Sequence, residues 1–285
     1  MIRVVRGRSL DDAARAEILR SLAALRDAEL PGIRDRVHAN EELRAKDFTN
    51  NHQAREALRV DQYQKCCYCE RFPDTGQLEH FRPKTRVAHQ LGGRTTHGYF
   101  WLAWTWDNLL YACAACNRHK NIRFPLAHDC EPLLPEQLPP GPEHPLLIDP
   151  AAPERDPFEH ICFRLVEEGG QQRWKPFPRN GSIRGARTIE VLGLDGQRHL
   201  ERYSRHVRWT VRPAVDAITE AVARARSTGD RARLQAIWRQ RLDHLCDPEQ
   251  ELIGLSCDAL DHHFPAQSRD RWNLPAPRPR APIAG

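Results

Sequence analysis

Cys113-Ala114-Ala115-Cys116-Asn117-Arg118-His119-Lys120 closes a frame that Cys66-Cys67-Tyr68-Cys69-Glu70 opens, and Gln77-Leu78-Glu79-His80-Phe81 lies between them. Each end supplies two thiols in CxxC spacing, and two such pairs make the ligand set of a tetrahedral structural zinc. A reducing compartment keeps thiols free, so Cys66, Cys69, Cys113 and Cys116 suit a metal better than disulfides. The gap from Cys69 to Cys113 is longer than a simple zinc ribbon needs, which predicts a structured unit inside it. Cys67, Cys130, Cys162, Cys246 and Cys257 lack paired spacing and read as core residues.

The residues inside the gap carry chemistry. Residues 77–81 read as a short strand whose end turns Glu79 and His80 toward a cleft, residues 106–112 as a second strand, and residues 114–120 as the start of a helix bearing Asn117. Imidazole titrates near neutrality, so a neutral His80 can take a proton from water. A hard divalent cation, magnesium or manganese, wants oxygen ligands such as Glu79 and the Asn117 amide. Such an ion stabilises charge on a scissile phosphate and its leaving oxygen. Asn108 is placed to orient the imidazole by hydrogen bonding. Arg82, Lys84, Arg118 and Lys120 add cationic donors suited to phosphates.

Taken together, CxYCE at 66–70, EHFRPK at 79–84, Asn108-Leu109 and CAACNRHK at 113–120 resemble the HNH endonucleases, a family with a ββα-metal fold. The resemblance implies His80 as general base, Asn108 as the central asparagine, and Glu79 and Asn117 as ligands of the catalytic metal. Where the family name has its final histidine this chain has Asn117, with His119 as a competing claimant. A narrower resemblance, extending through LLIDP, DPFEH and TIEVLGLD to about Arg202, is to the HNH effectors of Septu anti-phage systems and their retron-associated relatives. It implies an SMC-like or ABC-type ATPase partner and, in retron forms, a reverse transcriptase with its noncoding RNA. Nucleic acid is the implied substrate, with DNA ahead of RNA.

Outward from the frame, Ser9 is placed to cap a helix carrying Ile18, Leu22, Leu25 and Leu30 that Pro31-Gly32 should end, and residues 51–64 read as a second helix. Residues 131–146 hold too many prolines for regular structure. Residues 161–166 and 171–176 read as a hairpin around Glu167-Glu168-Gly169-Gly170. Helices follow over 188–192, 196–225 and 230–245, and Asp247-Pro248 looks like another helix start. The division expected is therefore a helical region over 1–64, the nuclease core with its four-cysteine zinc site over 65–130, a Pro-rich linker over 131–146, a hairpin plus helices over 147–272, and a disordered tail over 273–285. The fold class is α+β, mostly helical, with a zinc-stapled ββα-metal core.

Bulk properties fit that reading. The chain has 285 residues, 28% charged and 40% hydrophobic, which describes a globular protein with a sizeable core. No apolar run approaches the roughly 20 residues a membrane helix needs, and the first residues turn acidic too early for a signal peptide, pointing to the cytoplasm. The net charge of +5 permits a polyanionic partner without requiring one. The aromatic run 99–106 reads as core rather than a stacking platform, and the Arg198, Arg202, Arg205, Arg208 face as solvated. His89, His97 and His128 read as structural or solvated. The competing classes are a non-catalytic zinc module that binds nucleic acid or protein, and the HNH nuclease of a restriction system.

Overall fold

A computed structural model describes residues 1, 3–90, 93–153 and 156–280. In chain order it contains α1 (Asp12–His38), α2 (His52–Asp61), β1 (Gly76–His80), β2 (Val87–Gln90), β3 (Gly93–Thr95), β4 (Leu109–Cys113), α3 (Ala114–Lys120), β5 (Ile161–Glu168), β6 (Gln171–Pro178), α4 (Ile183–Leu192), α5 (Gln197–His206), α6 (Arg212–Arg224), α7 (Thr228–Leu245), α8 (Ile253–His263) and α9 (Ala266–Asp270). The strands form three separate two-stranded antiparallel sheets, β1 with β4, β2 with β3, and β5 with β6. The class is α+β with helix predominant, as the sequence indicates. Among the described residues no helix is long and apolar enough to cross a membrane.

The central unit is small. In β1 and β4, Glu79 lies opposite Leu110 and His80 opposite Leu109. The chain leaves β4 directly into α3, whose first turn is capped by Cys113, its Sγ accepting the Cys116 N–H at 3.4 Å. Asparagine at 121, with φ +47°, ends the helix after two turns. The expected strand, strand and helix are present as β1, β4 and α3, with two differences: the hairpin β2–β3 is inserted between the strands, and residues 106–108 form a 3-10 turn so that the second strand begins at Leu109. The aromatic run 99–106 is buried around that turn, where Trp101, Trp104 and Trp106 pack into the core.

Several expectations from the flanks are corrected. Helix α1 is capped by Asp11, two residues after Ser9, because Ser9 is held elsewhere: its N–H and hydroxyl both donate to Asp61 Oδ1 at 2.8 and 2.7 Å. The helix also runs through Pro31 to His38, with Leu30 buried just before the proline and Ile33 just after it. A proline inside a helix costs about 3 kcal/mol through its lost hydrogen bond and ring clash, and burying Ile33 beyond it returns about 1.5–3 kcal/mol. At the other end, Asp247-Pro248 begins turns rather than a helix. Residues 250–252 are committed to the first cysteine loop, where the Gln250 carbonyl accepts from Lys65 Nζ at 2.6 Å, the Glu251 carboxylate from Phe72 N–H at 2.6 Å, and Leu252 N–H donates to Glu70 O at 3.3 Å. Helix α8 starts only after that docking is complete.

The hairpin β5–β6 is longer than expected and turns on Gly169-Gly170, both with positive φ (+57° and +74°), the requirement of a tight two-residue hairpin turn. Segment 131–146 has no regular structure, yet it is anchored. Glu143 is buried and accepts from Arg82 Nε at 2.5 Å and Tyr99 OH at 2.7 Å. Tail residues 273–280 differ from the disorder expected: Leu274 is buried, and Pro275 O accepts from the Trp238 indole at 3.1 Å. Residues 281–285 lie outside the described residues.

Candidate active site

The two cysteine pairs meet. Sγ atoms of Cys66, Cys69, Cys113 and Cys116 all lie within 4.8 Å of one another, and Cys69 and Cys113 are 3.9 Å apart. Zinc–sulfur bonds of about 2.3 Å in a tetrahedron place sulfurs about 3.8 Å apart, so the cluster fits that ion. A tight turn builds the first half. Glu70 takes φ +59°, its N–H donates to Cys66 O at 3.0 Å, and Cys66 N–H donates to Arg71 O at 2.8 Å. The Glu70 carboxylate is then fixed by the Gly254 N–H at 3.2 Å and by the Met1 ammonium. Cys67 is buried in the core and stands outside the four-thiol cluster.

Beside the four-cysteine cluster opens a cavity of about 660 Å³ whose walls include Glu79 and His80 from β1, Asn117 and Arg118 from α3, Lys84, and His52 and Arg55 from α2. His80 is only 8% exposed, and its Nε2 lies 2.9 Å from the Ala103 carbonyl oxygen. A carbonyl can only accept, so Nε2 carries the proton and Nδ1 keeps the free lone pair. Burial, reinforced by the positive charges of Lys84 and Lys120, holds the imidazole well below its ordinary pKa. The ring is therefore neutral at physiological pH, as a base must be.

Asn108 does not reach that ring. Its Oδ1 accepts from Arg82 N–H at 2.8 Å, and its Nδ2 donates to Arg82 O at 3.2 Å and Leu102 O at 3.1 Å. The amide joins the chain leaving His80 to the turn whose next residue, Ala103, accepts the imidazole Nε2–H hydrogen bond. It orients His80 through backbone on both sides, and the direct contact expected from sequence is replaced by the Ala103 carbonyl.

Glu79 and Asn117 are brought to the same cavity. Asn117 Nδ2 donates to Gln77 Oε1 at 2.8 Å, which leaves its Oδ1 as the outer atom. Glu79 is 3% exposed, accepts from Lys120 Nζ at 2.7 Å and lies 3.3 Å from the Tyr68 hydroxyl. Burial pushes the Glu79 carboxyl pKa up, and the Lys120 ammonium opposes that rise. Glu79, Asn117 and Gln77 are hard oxygen donors on one wall, the donor chemistry a small divalent cation takes. His119 does not line the cavity. It faces the turn after α4, where a Cβ on Gly193 would come within 3.0 Å of its Nδ1.

The four basic residues divide. Lys84 and Arg118 line the cavity, and burial draws the Lys84 pKa down to about 8. Arg82 does not line it: the guanidinium is paired with Glu143 and lies within 5.6 Å of the Phe81 and Phe124 rings, so it holds the 131–146 segment rather than phosphate. Lys120 sits in the cavity floor with its Nζ spent on Glu79 and on His80 O at 2.8 Å. These two corrections share a cause, since a buried charge takes the nearest opposite charge. Sequence reading missed Gln77, His52 and Arg55, whose Nε is buried without a protein partner. The Asn51 cap predicts where α2 starts, but no local signal says that its first turn faces the cavity.

The Lys120–Glu79 pair makes a testable stability element. Lys120→Met leaves a buried carboxylate unpaired and is expected to cost about 3–5 kcal/mol in urea unfolding. Adding Glu79→Gln should recover most of that loss. A single variant within about 1 kcal/mol of wild type would show that the pair does not hold α3 on β1.

Among curated proteins, the Septu protein PtuB of Bacillus mycoides (strain KBAB4) is 36% identical to this chain over 135 residues, which are 46% of this chain and 42% of that protein. The matched part thus spans less than half of the relative's length, and within it the chain is PtuB-like. No family model matches the chain. No solved structure matches it.

Proposed function

We propose that this relative of a Septu protein is a metal-dependent HNH endonuclease that hydrolyses phosphodiester bonds as the effector of an anti-phage defence system. One observation carries the reading: a buried, neutral His80 with its Nε2–H on a backbone carbonyl stands beside Glu79 and Asn117 on one cavity wall, next to a four-cysteine cluster. Glu79 and Asn117 would hold the catalytic ion, which supplies positive charge to the scissile phosphate and the leaving oxygen. His80 Nδ1 takes the proton of the attacking water as its oxygen bonds to phosphorus, and the bond from phosphorus to the leaving oxygen breaks. Lys84 and Arg118 hold the flanking phosphates, with the unpartnered Arg55 Nε as a further donor from the facing wall. A DNA substrate and an SMC-like or ABC-type ATPase partner complete the proposal.

The test is cleavage of plasmid DNA and of RNA by the purified chain, alone and with its ATPase partner, in magnesium or manganese against a chelator. Metal-dependent nicks or breaks are expected. Binding without cutting in every combination would replace the nuclease by the non-catalytic zinc adapter.

A further inference from the structure

Between α5 and α6 the helix does not break but widens into a π-turn, Val207–Val211. Val207 and Val211 are buried, whereas Trp209 projects outward and is 71% exposed, without a ring or cation partner among the described residues. A wide turn of this kind is uncommon and is frequently found at functional sites. Leaving an indole in water forfeits about 2 kcal/mol of burial, so its place on a widened turn calls for a partner.

Trp209 borders a cavity of about 430 Å³ that shares no lining residue with the His80 cavity. Its walls are polar and basic. Arg205 and Arg208 have no hydrogen bond or ion pair among the described residues, and Arg173 is held by two neutral amides, Gln197 Oε1 and Gln171 Oε1, both at 2.8 Å. The nearby acid, Glu201, accepts from Gln197 Nε2 at 2.8 Å and neutralises none of the three. Among the described residues, three guanidinium groups without an ion pair thus line the cavity that Trp209 borders, against the single carboxylate of Glu201.

We propose that this surface is a second nucleic-acid contact, in which Arg173, Arg205 and Arg208 take backbone phosphates and Trp209 stacks on an unpaired base. Guanidinium groups bind phosphate bidentately and indole stacks on any base, so the site is indifferent to sequence and favours single strands. A protein partner would want an apolar centre, and here Leu200 is the one aliphatic residue beside the indole. The inference rests on nucleic acid being the substrate of the His80 site and adds a place where the strand is held away from the cut.

The experiment uses the full chain carrying Trp209→Ala, or Arg205→Ala with Arg208→Ala. Binding of a labelled single strand of about 20 nucleotides is followed by anisotropy across a salt series, with cleavage measured in parallel. Trp209→Ala is expected to weaken binding by about fivefold to a hundredfold. The double arginine variant should lower the slope of log affinity against log salt by about 1–2. Melting temperatures should stay at the wild-type value because the replaced side chains are largely exposed. If wild type cuts and both variants bind within twofold of it with an unchanged slope, this contact is wrong while the nuclease stands. Wild type that neither binds nor cuts removes both readings. Variants that lose the ATPase partner but keep the oligonucleotide would make the surface a protein-docking face, and that also overturns the proposal.

Discussion

His80→Ala is expected to lower the cleavage rate by about 10²–10⁴-fold, the contribution of a positioned general base, while the protein keeps its zinc and its fold. Among the described residues the imidazole is held by a single hydrogen bond. Its Nε2–H is anchored on the Ala103 carbonyl, so the ring cannot turn over without losing a buried hydrogen bond, and only Nδ1 keeps a lone pair for the proposed role. Removing the side chain leaves the Ala103 oxygen without that donor, a cost of about 1–3 kcal/mol, which a chain with an extensive core tolerates. Asn108→Ala is expected to act more weakly on the same base by loosening Arg82 and Leu102, the two backbone points its amide joins. Cleavage by His80→Ala at the wild-type rate, with zinc content unchanged, would remove His80 from the mechanism.

Cys116→Ser is expected to do what His80→Ala does not, namely lose both zinc and activity. Cys116 is fully buried in the first turn of α3, one residue before Asn117. The cluster ties the 66–69 turn to the start of that helix, so losing one thiolate releases the element that carries Asn117, Arg118 and Lys120. The rest of the core does not depend on the ion, which predicts a partial rather than complete loss of structure. A loss of about 4–5 kcal/mol corresponds to a melting point lower by roughly 7–8 °C for a chain of this size, at an unfolding entropy of about 2.1 cal/mol/K per residue. Zinc content per chain, measured by elemental analysis, should fall below one. A Cys116→Ser protein with full zinc and wild-type melting would show that the four thiols are not the structural metal site.

Much of the local organisation is legible in the residues alone. CxxC spacing identifies the four thiols that meet, since ligand chemistry is written into residue type and interval. The helix at 114–120 and the two strands before it follow from short-range pattern, as does the Gly169-Gly170 turn, because glycine is the residue that takes positive φ without cost. Pattern also shows that the aromatic run 99–106 is apolar enough to be core.

What residue type cannot reveal is which charge finds which partner. Arg82 and Lys120 look the same in sequence as Lys84 and Arg118, yet the first two are drawn into buried pairs with Glu143 and Glu79 while the others remain at the cavity. Glu143 comes from a proline-rich stretch that reads as linker, and Ala103 contributes only its carbonyl, which every residue possesses. Helix ends moved for the same reason: Ser9 is held by Asp61 instead of capping, and residues 250–252 dock on the first cysteine loop before a helix can grow from Asp247-Pro248. The sequence by itself determined the ligand types, their spacing and the strand-strand-helix order, because those depend on neighbours along the chain. Only the tertiary structure decided which imidazole nitrogen keeps its lone pair, which cations stay at the cavity and what holds the His80 ring, because burial makes a polar group bind whatever the fold brings within reach.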